Sequence, residues 1–131
     1  MKSLRILVVE DDLHALRSID IALKEAGYET RLAENGKVGL EFAAEFQPDI
    51  VITDVLMPEK DGYELIMGLR RMQSQAGIIA MSSGGKSGFM RSDIGQILRL
   101  FKVTTFLNKP VDPQQLLEAV HREAESLERI A

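Results

Sequence analysis

Acidic, hydroxyl and basic side chains occur in this chain where short apolar segments end. Glu10 and Asp11 follow the first segment, Asp54 follows a second, Ser82 comes after a third, and Lys109 follows a fourth. If these segments are parallel β-strands, their carboxyl ends meet at one edge of a sheet, and the five side chains converge on one crevice. That crevice would hold three carboxylates, a hydroxyl and an ammonium group.

Carboxylates gathered in one pocket favour a bound cation. Two of them about 5 Å apart repel by about 3 kcal/mol at an effective dielectric constant of 20. Oxygen ligands suit Mg²⁺ or Mn²⁺, and Mg²⁺ commonly combines one or two carboxylates with phosphate oxygens. The simpler interpretation is that Asp11 and Asp12 only cap the first helix, where the helix dipole favours them. The second acidic position, Asp54, favours a metal site formed with Glu10 and Asp11.

A buried aspartate beside a metal can also be a nucleophile. Its carboxylate can attack phosphorus and form an aspartyl phosphate when a metal and an ammonium group neutralise the phosphoryl oxygens. Lys109 could supply that ammonium group, and Ser82 could donate its hydroxyl to a phosphoryl oxygen. Without the acids, Lys109 would be an ordinary exposed lysine and Ser82 a small residue at a strand end.

Strands and helices are predicted to alternate five times along the chain. The predicted strands cover residues 4–9, 28–33, 50–53, 78–81 and 104–107. The first and third are apolar and rich in β-branched residues without polar alternation, which is typical of buried central strands, whereas the second and fifth are more mixed and are expected near the sheet edges. This alternation predicts right-handed crossovers and a parallel sheet covered on both faces.

Apolar residues at helical spacing predict the connecting helices. The predicted helices cover residues 13–26, 36–46 and 62–72, a fourth is marked by Ile94, Ile97, Leu98 and Phe101, and the last begins at Asp112. Gly27 stands where a C-cap glycine is expected. Pro113 and Gln115 occupy the N1 and N3 positions of a capping box after Asp112.

Length and charge limit the classes of function. We expect the 131 residues to form one domain with a core at about 4–128 and no output domain. The net charge of −4 argues against nonspecific binding to nucleic acid or anionic lipid. The chain has no cysteine, which excludes disulfides and thiol chemistry and fits a cytoplasmic protein. No segment approaches the ~20 apolar residues of a membrane span.

Taken together, the motifs resemble the receiver domain of two-component response regulators. The resemblance covers residues 4–128 and is carried by residues 6–12, 48–54, Met57-Pro58, Asp61-Gly62, 82–84 and 106–110. It implies a flavodoxin-like (βα)₅ domain, a doubly wound α/β fold with a parallel five-stranded sheet of order 2-1-3-4-5.

The resemblance also implies a role for each site residue. Asp54 would take a phosphoryl group from a histidine kinase or phosphotransfer protein in the presence of Mg²⁺. Asp11 would be a direct Mg²⁺ ligand, Glu10 would act mainly through water, and the main-chain carbonyl of Leu56 would be another ligand. Lys109 would pair with the phosphoryl group.

The remaining implied roles concern switching. Ser82 would be the switch hydroxyl and Phe106 the switch aromatic, although Phe106 lacks the hydroxyl of the tyrosine frequently found at that position. Asp12 falls beyond the acid pair and is interpreted as a helix cap. A stand-alone receiver would catalyse only its own phosphotransfer and dephosphorylation, and would signal to a protein target through a face formed by residues 89–108 and 112–128. The resemblance allows a homodimer and implies no direct contact with nucleic acid or membrane.

Alternative functions remain at this point. A receiver-like adaptor could dock partners independently of phosphorylation, and a Mg²⁺-dependent phosphatase could use the same acids. A P-loop at residues 83–87 would require glycine at position 80, where the chain has Ala80, and an FMN site would not place three acids after the first strand. The other histidines and cations are interpreted as exposed helix positions: His14, His121, Arg70, Arg71, Lys86, Arg91, Arg99 and Lys102.

Overall fold

Five short strands form one parallel sheet. In the computed structural model, which describes residues 3–55, 61–82, 93–103 and 105–130, the strands are β1 (Arg5–Val9), β2 (Glu29–Ala33), β3 (Ile50–Asp54), β4 (Gly77–Ser82) and β5 (Thr105–Asn108). Their order in the sheet is β2-β1-β3-β4-β5, and every neighbouring pair is parallel. The expected flavodoxin-like topology is confirmed.

Helices cover both faces of this sheet. They are α1 (Leu13–Glu25), α2 (Gly36–Phe46), α3 (Asp61–Arg71), α4 (Asp93–Leu100) and α5 (Pro113–Ile130). Buried residues of α1 and α5 pack on one face of the sheet, and buried residues of α2, α3 and α4 pack on the other. None of the helices in the described part of the chain is both long and apolar enough to cross a membrane.

The double cover explains the uninterrupted apolar sequence of the central strands. In β1, Ile6 and Val8 join the cluster beneath α1 and α5, whereas Leu7 and Val9 join the opposite cluster, and all four side chains are fully buried. Each such aliphatic side chain contributes about 1.5–3 kcal/mol when it leaves water. Strands β2 and β5 are less buried, which confirms their expected positions at the sheet edges.

One aspartate and one glycine mark the two ends of α1. Asp12 is the N-cap, and its carboxylate accepts a 3.0 Å hydrogen bond from the amide of His14. At the other end, Gly27 adopts φ +94°, a conformation that strains any residue with a side chain. The hydrogen bond of Asp12 confirms its interpretation as a helix cap. Asp12 and Gly27 together mark where α1 begins and ends.

Several predicted boundaries differ from the structure by a residue or two. β3 includes Asp54, β4 includes Ser82 and β5 extends to Asn108, while residue 104 lies outside the described residues. Phe101 was predicted in the fourth helix but follows α4, where its amide donates to the Leu98 carbonyl in a turn. Apolar spacing identified Phe101 as a core residue but could not distinguish a last helical turn from the loop after it.

The interpretation of Arg70 as a solvated helix position was wrong. Its Nε donates to the carbonyl of Phe101 at 2.8 Å, and its Nη1 donates to the carbonyls of Ser74 and Ala76. Burial lowers the pKa of Arg70, although the carboxylate of Glu123 opposes the shift. The guanidinium therefore satisfies carbonyls around the ends of α3 and α4, a tertiary role that no local sequence pattern indicates.

Candidate functional site

The carboxyl ends of β1 and β3 bring two buried acids together. Glu10 follows β1 directly and is fully buried, and its amide continues the sheet by donating to the Ala33 carbonyl at 3.0 Å. Asp54 is the last residue of β3 and is only 6% exposed. Their side chains reach the same pocket because β1 and β3 are adjacent and in register from Ile6 to Val9.

Asp11 adds a third carboxylate at the mouth of the pocket. It is exposed, and its amide donates to Glu10 Oε2 at 3.1 Å, which directs the Glu10 carboxylate toward the turn. Oxygens from Glu10, Asp11 and Asp54 all lie within 4.8 Å of one another. A set of only oxygen donors at this spacing fits Mg²⁺, a hard cation that prefers carboxylate and water ligands. The structure brings together the acids that the sequence selected.

Lys109 closes the pocket from the end of β5. Its amide donates to the Ser82 carbonyl at 2.8 Å, which holds the backbone beside β4. Its Nζ lies 2.8 Å from Asp54 Oδ2 and also forms an ion pair with Glu10 Oε1. The lysine was selected from sequence only because acids were expected nearby, and the structure shows this direct pairing.

Burial and the pairing of Lys109 with the acids act in opposite directions on the charged groups of the pocket. Burial raises the pKa of Glu10 from 4.5 to about 7, and the neighbouring Asp54 carboxylate adds to the rise, although the hydrogen bond and charge of Lys109 oppose it. For Lys109, burial lowers the pKa, but hydrogen bonds and charges from Asp54 and Glu10 outweigh it and the net pKa is raised. Lys109 pairs with two of the three clustered acids, Glu10 and Asp54, so a divalent cation would offset negative charge that Lys109 alone leaves uncompensated.

Ser82 and Phe106 lie beside this pocket, on the side of the sheet that faces α4. Ser82 ends β4 and is 1% exposed, and Phe106 on β5 pairs in register with Ala80, two residues before Ser82. Because strand side chains alternate, Ala80, Ser82 and Phe106 share one face of the sheet. Phe106 is half-buried and packs against the core cluster that contains Ala80.

Some predicted residues lie outside the described part of the chain. They include Leu56 with its main-chain carbonyl and residues 83–87 of the rejected P-loop motif. His14 and His121 are exposed on α1 and α5 as expected, and His121 Nε2 contacts Glu125 at 2.9 Å.

Two cavities of about 350 and 670 Å³ open near the amino ends of β3 and β4, and neither is lined by a residue of the acid cluster.

Comparison with known proteins identifies the family. The family model described as "Response regulator receiver domain" matches residues 6–121. The chain belongs to the response regulator receiver family. Receiver domains are signalling modules of two-component systems, generally without enzymatic activity, and they bind Mg²⁺ at an acidic cluster that Glu10, Asp11 and Asp54 form here.

Individual relatives agree with this membership. A DNA-binding transcriptional regulator NtrC of Bradyrhizobium is 32% identical over 127 residues, covering 96% of this receiver chain and 25% of the relative. The dual master transcriptional regulator RpaA of Synechocystis is 29% identical and covers 96% of the chain and 51% of the relative. The chain therefore spans a quarter to a half of the length of these two curated relatives.

Solved structures match over nearly their whole length. The chemotaxis protein CheY4 of Vibrio cholerae, crystallised at low pH, has a TM-score of 0.82 at 25% identity and covers 92% of this chain and 98% of that one. A CheY-like receiver domain protein from Methanospirillum hungatei has a TM-score of 0.86 at 24% identity, covering 99% and 100%, and shows likeness of fold alone.

Proposed function

We propose that Asp54 accepts a phosphoryl group from a phosphohistidine of a histidine kinase or phosphotransfer protein. The observation that carries this proposal is the 2.8 Å contact of Lys109 Nζ with Asp54 Oδ2 inside a cluster of three carboxylates. A carboxylate oxygen forms the new bond to phosphorus as the bond to the imidazole nitrogen breaks, and the imidazole keeps the electron pair. The product is an aspartyl phosphate.

The residues around Asp54 are suited to the charge that arrives with the phosphoryl group. The Lys109 ammonium, which already pairs with Asp54, can form a charge-assisted hydrogen bond to a phosphoryl oxygen. Mg²⁺ held by Glu10, Asp11 and Asp54, with the Leu56 carbonyl as a further ligand, would supply electrostatic stabilisation of the phosphoryl oxygens. The only reactions we assign to the receiver are transfer of the phosphoryl group to Asp54 and its later hydrolysis.

Phosphorylation by a small donor tests the assignment directly. The protein is incubated with acetyl phosphate and Mg²⁺, and the modified peptide is located by mass spectrometry. We expect a single labelled peptide that contains Asp54. Stable labelling of another residue, or no labelling while circular dichroism shows a folded protein, would contradict the proposal.

Two exposed apolar side chains on α1 support docking of the phosphodonor beside the site. Leu13 and Ile21 are each 57% exposed, and they are eight residues apart, so they lie on one face of the helix. Leu13 begins α1 only two residues after Asp11, at the mouth of the pocket. Leu13 and Ile21, with the exposed Arg17 between them, could contact the apolar face of an amphipathic partner helix.

Replacing Leu13 and Ile21 together by Ser should impair transfer from a protein donor but not from acetyl phosphate. We expect at least about a tenfold lower rate with a purified histidine kinase that phosphorylates the wild type, because each buried interface anchor contributes about 1–2 kcal/mol. Leu100→Ser is the matched control, since Leu100 is 82% exposed but lies on α4. Equal losses with both donors would indicate damage to the site instead.

We further propose that phosphorylation is signalled through the face formed by α4, β5 and α5. A phosphoryl group adds about 1.5–2 negative charges and can recruit the Ser82 hydroxyl. Movement of Ser82 toward Asp54 would let Phe106 turn inward on the same face of the sheet. A downstream protein then reads the changed surface; the alternative, docking independent of phosphorylation, would leave this surface unaltered.

Beryllofluoride, a phosphoryl mimic, should reveal that propagation. In the wild type with Mg²⁺ we expect amide chemical-shift changes in the pocket and also in residues 93–103 and 105–108. In Ser82→Ala the pocket amides should still shift. Residues 93–103 and 105–108 should shift much less, because the Ser82 hydroxyl that would contact the phosphoryl mimic is missing. Shift changes confined to the pocket in the wild type would show that this face is not the output surface.

A further inference from the structure

Arg99 on α4 lies over the ring of Phe106. The guanidinium carbon is 5.8 Å from the ring centroid, within the range of a cation–π interaction. Arg99 is exposed and Phe106 is half-buried, so the contact joins a solvent-exposed cation to a partly covered ring. The sequence interpretation of Arg99 as merely solvated missed this pairing because the two residues belong to different elements, α4 and β5.

The other side of Phe106 leads toward the pocket. Its cross-strand neighbour is Ala80, whose side chain is a single methyl group, and Ser82 follows two residues later on the same face. If the ring turned inward toward Ser82, as the proposed switch requires, it would leave the exposed guanidinium of Arg99. The Arg99 contact would then favour the ring position seen here over the inward one.

We propose that Arg99 is a positioning residue that holds Phe106 in the half-buried position seen here and so favours the resting state of the receiver. The inference rests on the proposed function, since it concerns how strongly phosphorylation of Asp54 must bias Phe106. An exposed cation–π contact changes an equilibrium by about two- to fivefold.

The direction of the effect separates this role from a general effect of charge. If Arg99 acted only through long-range attraction to the phosphoryl group, its neutralisation would weaken the binding of an anionic mimic. If Arg99 holds the ring outward, its removal lowers the cost of switching and tightens that binding. The two explanations predict changes of opposite sign.

The experiment measures the apparent dissociation constant of beryllofluoride, with saturating Mg²⁺, from amide chemical shifts. We expect Arg99→Met to bind about two- to fivefold more tightly than the wild type, and Arg99→Lys to lie between them because it keeps the charge. Arg122→Met, which removes an exposed positive charge from α5, serves as the control and should show no tightening. The free Arg99→Met protein should also show residues 105–108 shifted toward their beryllofluoride-bound positions.

A double-mutant cycle with Phe106→Leu decides the mechanism. The tightening caused by Arg99→Met should disappear in the Phe106→Leu background, because no ring remains to be held. Unchanged or weaker binding in Arg99→Met, or tightening that persists without the ring, would overturn the inference. A wild type whose pocket amides do not respond to beryllofluoride would instead contradict the proposed function.

Discussion

Replacing Asp54 by Asn is expected to abolish labelling by acetyl phosphate, with a fall in rate of at least about 10³-fold. The amide cannot attack phosphorus as a carboxylate does, and loss of a covalent nucleophile has effects of this size. The measurement is the time course of phosphorylation by intact-protein mass spectrometry. Chelation of Mg²⁺ by EDTA should also suppress labelling of the wild type, because the three carboxylates then repel the anionic donor.

A matched variant controls for the loss of one negative charge. Asp12→Asn removes an acid two residues from Glu10 but keeps a side-chain oxygen that can cap α1. We expect its labelling rate to remain within about twofold of the wild type, since the Asp12 carboxylate is exposed and interactions through water are weak. Labelling that survives in Asp54→Asn, or that ignores EDTA, would contradict the assignment of Asp54 and its metal site.

Replacing Lys109 by Met is expected to destabilise the metal-free protein by about 3 kcal/mol. The Lys109 side chain is 20% exposed and pairs with both Asp54 and the fully buried Glu10, and removal of one partner from a buried ion pair typically costs about 3–5 kcal/mol. Protonation of Glu10, whose pKa is already raised to about 7, limits the cost to the lower end of that range. Urea unfolding followed by circular dichroism at neutral pH measures the change.

Magnesium should restore part of the stability of the Lys109→Met variant. A cation that binds the folded acid cluster stabilises it by mass action, and the variant has more uncompensated negative charge to offset. Lys37→Met is the control, because Lys37 is exposed on α2, and it should change the free energy of unfolding by less than about 0.5 kcal/mol. Equal stability of Lys109→Met and wild type without Mg²⁺ would show that the ion pairs contribute little.

The sequence by itself determined the sheet and its edge. Apolar runs such as 6–9 and 50–52, rich in β-branched residues, are typical of strands buried on both faces, and the acids that follow such strands lie at their carboxyl ends. Caps such as Asp12 and Gly27 act within a few residues, so local chemistry was enough to fix them. The family resemblance added the topology and the roles, and the order β2-β1-β3-β4-β5 agrees with it.

Only the tertiary structure decided which side chains meet. The 2.8 Å contact of Lys109 with Asp54 joins residues 55 positions apart, and its existence depends on the pairing of β5 with β4, which the Lys109 amide extends by one hydrogen bond to Ser82. Arg70 and Arg99 look alike in sequence, yet one is half-buried among carbonyls and the other lies on an aromatic ring. A local sequence pattern indicates only which face of its own helix a residue occupies. The contacts of Arg70 and Arg99 depend instead on how α3 and α4 pack against the neighbouring elements.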